Sequence, residues 1–115
     1  MENPLSKSKR TCTNYTVEAI GLLGKLIKLG RKRKRMTESE LAERLGIARS
    51  TLRRIENGNT RAEIGLFFEA ASLTGVPLFN EDQGFVYRLS DRVDDKIAVL
   101  PKHVYKTQEP VDDDF

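Results

Sequence analysis

The 115-residue chain contains one cysteine, one histidine and no tryptophan. A lone Cys12 cannot close an internal disulfide, so the fold is expected to stand without such a staple, in a reducing compartment. His103 is the one imidazole, which excludes the familiar pairings of a nucleophile with a histidine base. It also leaves too few soft or imidazole ligands for a zinc-type centre. Neither metal, cofactor nor catalysis is expected, and His103 and Cys12 receive no role. No run of about 18 uncharged apolar residues exists to span a membrane. The longest apolar stretch, Ala19–Leu29, is broken by Lys25 and Lys28. The first 35 residues hold only Glu2 and Glu18 as acids, a composition faintly like a mitochondrial presequence. The same segment is needed as the first helix, so a cytoplasmic protein is the expectation.

What the chain does have is charge, unevenly placed. Residues 1–60 carry 14 Lys/Arg against 6 Asp/Glu, whereas residues 61–115 carry 6 against 11. A basic half joined to an acidic half points to an anionic partner on one side and a different partner on the other.

Apolar spacing and punctuation divide the chain into four parts. Residues 1–14 read as a flexible basic arm bearing Lys7, Lys9 and Arg10, and residues 15–78 as a set of short helices. Residues 79–101 read as one further helix, a possible dimerisation element, and residues 102–115 as an acidic tail. The first helix starts at Tyr15 and places Ile20, Leu23 and Ile27 on one face. A second stripe, Leu22, Leu26 and Leu29, runs beside it. Gly21, Gly24 and Gly30 each cost a helix about 1 kcal/mol relative to alanine, which argues against an unbroken element. Thr37-Glu-Ser-Glu40 is a capping box that opens helix 2, and Gly46 ends it. Helix 3 covers Arg49–Glu56. Thr60-x-x-Glu63 reads as a second capping box before the apolar helix Ile64–Leu73. Phe85, Leu89, Val93 and Ile97 recur every four residues in the final helix, which Pro101 stops.

Two short helices joined by a tight turn suggest a helix-turn-helix. The second helix must bury one face while offering a polar, basic face to a major groove. At 100° per residue, Arg49, Ser50, Arg53 and Asn57 fall within an arc of about 100°, with Arg54 on its flank. Leu52 and Ile55 fall on the opposite side. Arginines on such a face suit bidentate pairing with guanine O6/N7 or with phosphate. The bland alternative is a solvated helix face.

Met36–Gly58, MTESELAERLGIARSTLRRIENG, resembles the Cro/cI-type, or Xre-type, helix-turn-helix family through Thr37, Leu41, Ala42, Gly46, Thr51, Ile55, Glu56 and Gly58. The resemblance spans residues 20–76 and implies an all-α, lambda-repressor-like bundle of about five helices that binds DNA. It implies base contacts from Arg49, Ser50, Arg53 and Arg54, and a structural ion pair for Arg31. It places phosphate contacts at Thr37, Glu38, Asn57, Asn59 and Arg61. Two departures stand out. Ala48 replaces a common capping serine, which removes about 1 kcal/mol of helix capping. Glu38 replaces a common glutamine, and a carboxylate there repels phosphate unless it meets a cytosine amino group.

The run Arg31-Lys32-Arg33-Lys34-Arg35 has three readings: a nuclear-localisation patch, a solvated helix end, or a backbone clamp in which Lys34 and Arg35 meet phosphate. The segment Val111, Asp112, Asp113, Asp114 and Phe115 surrounds carboxylates with apolar residues, as a protein-binding or a solubilising tail would. The second half of the chain, "EIGLFFEAASLTGVPLF" onward, is similar to antitoxins encoded with HipA-type kinases. That similarity implies a HipB-like protein that binds a HipA-like kinase and represses their shared operon. The reading is therefore a homodimeric repressor of a palindromic operator, in a prokaryotic cytoplasm at the nucleoid. A stand-alone Xre-type repressor, or an RNA- or membrane-surface-binding protein using the basic half, are the alternatives.

Overall fold

Local signals set most of the helix boundaries. In a computed structural model, which describes residues 11–80 and 82–106, the elements run α1 (Asn14–Arg33), α2 (Glu38–Leu45), α3 (Arg49–Glu56), α4 (Ile64–Leu73) and α5 (Gln83–Ala98). No strand occurs among the described residues, and the expected all-α fold is the one observed, with five α-helices. Of the expected arm (1–14) and tail (102–115), residues 1–10 and 107–115, including Val111, Asp112, Asp113, Asp114 and Phe115, lie outside the described residues.

Residues 1–80 and 81–115 form two units. In the first, α1 packs on α3 and α4, and α2 packs on the same pair. Ile27, Leu41, Leu52 and Ile55 are wholly buried, joined by Ala42, Phe67, Ala70 and Ala71. Each of the larger side chains contributes about 1.5–3 kcal/mol by leaving water. One core therefore holds all four helices.

Four helices end alike. After α1, α2, α3 and α4 the chain turns through a left-handed residue: Arg35, Gly46, Gly58 and Gly75, with φ of 59°, 71°, 75° and 79°. The next amide reaches back five positions in each case: Met36 to Arg31, Ile47 to Ala42, Asn59 to Arg54 and Val76 to Ala71. These are Schellman ends, which satisfy carbonyls the helix leaves unpaired. Three use glycine, the residue that takes this conformation freely. The fourth uses arginine.

Two expectations need correction. The glycines of α1 do not interrupt it; the helix is continuous over 20 residues. A Cβ on Gly24 would lie 2.5 Å from the carbonyl oxygen of Ile55, and one on Gly30 would lie 2.5 Å from that of Thr74. These positions let α1 approach the ends of α3 and α4 backbone to backbone, and that packing outweighs the propensity cost. The second correction concerns Thr60 and Glu63. Glu63, not Thr60, is the N-cap of α4, with no side-chain cap bond. Asn59 organises this loop instead, its Oδ1 accepting from the Arg61 amide at 2.7 Å.

In the second unit, Asp82 caps α5 by accepting from the Phe85 amide at 2.7 Å. No residue of α5 is buried. Leu89, Val93 and Ile97 are 36%, 42% and 61% exposed.

Candidate nucleic-acid interface

α3 is amphipathic in the sense a groove-reading helix requires. Leu52, Ile55 and Glu56 are buried, while Arg49, Ser50, Arg53, Arg54 and Asn57 are exposed. Ala48 starts the helix without a side-chain cap.

The register of α3 is pinned by an ion pair. Arg31 donates from Nε to Glu56 Oε2 at 2.7 Å and from NH2 to Oε1 at 3.1 Å. Its NH1 donates to the Met36 carbonyl at 2.9 Å. Both side chains are almost sealed from solvent, so charge and hydrogen-bond valence are met together. Arg31 is thus structural. The Glu56 hydrogen bond raises the Arg31 pKa above its ordinary value.

The first turn of α2 lies beside the exposed face of α3. Thr37 and Glu40 form both halves of the capping box: Thr37 N donates to Glu40 Oε1 at 2.7 Å, and Glu40 N donates to Thr37 Oγ1 at 3.0 Å. The next two residues reach α3. Arg53 donates to Glu38 Oε1 from Nε at 3.2 Å and contacts the same oxygen from NH2 at 3.1 Å. Arg49 NH1 donates to Ser39 Oγ at 3.3 Å. The Arg53 hydrogen bond, aided by the charges of Arg53, Arg31 and Arg49, holds the Glu38 carboxyl below the usual carboxylate range.

The expected contact residues divide into groups. Thr37, Glu38, Arg49 and Arg53 come together at the α2–α3 edge. Thr51, Arg54, Asn59 and Arg61 line one shallow groove. Lys34 lies elsewhere, with its Cε near Gly75, in a groove also lined by Leu26, Leu29, Arg33, Val76 and Pro77. Arg35 is exposed in the turn before α2. The two links from α2 to the arginines of α3 are absent from the sequence reading. The signal for one of them was the acidic residue at position 38.

Among the described residues, no cluster of His, Cys, Asp or Glu could hold a metal ion. No helix there is long and apolar enough to cross a membrane.

Residues 27–79, slightly under half of the chain, match the family model described as Helix-turn-helix. The match takes in the end of α1 and the whole of α2, α3 and α4. Neither a curated protein nor a solved structure matches the chain.

Proposed function

We propose that this protein is a sequence-specific repressor that places α3 in the major groove of an operator. One observation carries the reading: Leu52, Ile55 and Glu56 fix α3 from behind while Arg49, Arg53 and Arg54 stay exposed in front. In this reading Arg49, Ser50, Arg53 and Arg54 meet base edges, and Thr37, Lys34, Arg35, Asn57, Asn59 and Arg61 meet phosphates. The protein acts in the cytoplasm without a cofactor.

One recognition helix reads only a few base pairs, so a dimer spanning half-sites about 34 Å apart gives usable specificity on a palindrome. The exposed apolar face of α5, with Leu89, Val93 and Ile97, suits a second copy of the chain. Binding to duplexes selected from a random pool tests the function. A preference of about 10³-fold or more over random DNA is expected. Arg49→Ala should cost about 1–3 kcal/mol on the selected duplex and little on random DNA. Equal binding to all duplexes refutes the repressor reading.

The finer reading is an antitoxin that restrains a HipA-like kinase and represses their operon. Its support is the similarity of the second half to such antitoxins, and the segment Val111-Asp112-Asp113-Asp114-Phe115, whose negative charge does not suit a DNA surface. Removing residues 106–115 should leave operator binding intact and weaken association with a HipA-type kinase. Unchanged association overturns the role of the tail, and absence of any association leaves a stand-alone repressor.

A further inference from the structure

Arg53 is the central arginine of the exposed α3 face, yet its guanidinium does not stand alone. Nε and NH2 both meet Glu38 Oε1, at 3.2 and 3.1 Å, across 15 positions of sequence. Glu38 sits in the first turn of α2 with its side chain 32% exposed, and Arg53's is 52% exposed. The pair is therefore at the surface that faces DNA in the proposed function, and it is formed before any DNA arrives.

A guanidinium has five N–H donors arranged in a planar fork. With one edge engaged by Glu38, the edge made by NH1 and the second NH2 proton stays free. That edge has the spacing that pairs with guanine O6 and N7. The carboxylate also changes what Arg53 can do wrongly. A free arginine on this face could collapse onto the nearest phosphate and contribute affinity without sequence information. An anionic oxygen already on the guanidinium repels a phosphate from the same place, while a neutral guanine edge, with only partial charges on O6 and N7, is repelled far less.

We propose that Glu38 is a positioning residue that sets base specificity, holding Arg53 for a guanine and keeping it from the phosphate backbone. This rests on the reading of Arg53 as a base-contacting residue. Glu38 thereby trades affinity for discrimination. Ser39 gives Arg49 a similar but neutral hold, at 3.3 Å, so the effect belongs to Arg53.

The test uses the full chain and duplexes selected from a random pool, comparing wild type with Glu38→Gln, Glu38→Ala and Arg53→Ala. Glu38 is not part of the core, and a melting curve of each variant checks that it folds. Loss of the carboxylate should strengthen binding to random duplex several-fold. It should also erase about tenfold of the preference at one base pair per half-site, the same pair whose preference vanishes in Arg53→Ala. If Glu38→Gln shifts affinity for selected and random duplexes by the same factor, with the preference profile unaltered, Glu38 is only a repelling charge and the inference is wrong. If Arg53→Ala leaves every base preference intact, the base-contact reading of Arg53 fails first, and the inference with it.

Discussion

Arg31 and Glu56, 25 positions apart in the sequence, meet through two hydrogen bonds of 2.7 and 3.1 Å inside the bundle. The pair joins the last turn of α1 to the last residue of α3, so the helix that carries the exposed arginines is fastened at its far end. Removing one partner leaves a buried charge uncompensated. Arg31→Ala or Glu56→Ala should each destabilise the fold by about 3–5 kcal/mol in urea unfolding. Replacing both with leucine should cost less than either single change, because no charge is then stranded. A double variant weaker than both singles would contradict this account.

Gly21 and Gly24 lie one turn apart in α1 and should respond oppositely to alanine. A Cβ at position 21 meets nothing within 4 Å, whereas one at position 24 lies 2.5 Å from the Ile55 oxygen. Gly21→Ala should raise stability by up to about 1 kcal/mol through helix propensity. Gly24→Ala should lower it by about 1–3 kcal/mol despite the same gain, because α1 and α3 must separate. Thermal melts of the two variants decide the matter.

Arg35 holds a left-handed conformation, with φ 59°, at the one Schellman end without glycine. Non-glycine residues pay about 1–2 kcal/mol there. Arg35→Gly should therefore stabilise the fold by about 1 kcal/mol. If the side chain meets phosphate as proposed, the same change should weaken binding to every duplex and reduce the salt slope by about one. Unchanged affinity would remove Arg35 from the contact surface.

The capping box of α2 makes stability depend on acid. The Thr37 backbone N–H, followed by its hydroxyl, holds the Glu40 carboxyl below its ordinary value. A carboxyl depressed on folding stabilises above its unfolded pKa, about 4.3. That contribution is lost as pH falls through the lower, folded value. The gap in melting temperature between wild type and Glu40→Ala should be full near pH 6 and shrink below about pH 4. A gap that stays constant through the acid range would refute the assignment.

The apolar face of α5 offers a fifth test. Val93 is 42% exposed, so Val93→Glu should spare the monomer fold. Sedimentation should show a shift from dimer to monomer, with a loss of operator affinity. A variant that sediments like the wild type would exclude this face as the dimer interface.

The helix ends were largely legible in the residues. The Thr37–Glu40 box, the glycine at 46 and the Leu52/Ile55 face of α3 all act over one or two turns of chain. Such signals are local, so the order of residues suffices to read them. Thr60 shows the limit of this reading: its box pattern is present, but Asn59 and Arg61 close the loop first, and the cap falls to Glu63.

Other features depend on segments meeting after the chain has folded back on itself. Composition made the α1 glycines look like weak points; the nearness of the Ile55 and Thr74 carbonyls turns two of them into packing surfaces. Position 38 announced an acid in an unexpected place, and only the folded chain brings that acid to Arg53. Spacing along one helix orders residues on that helix, whereas the distance between two helices is set by what packs between them. Sequence order therefore carried the arginine face of α3, and folding decided which neighbours hold those arginines.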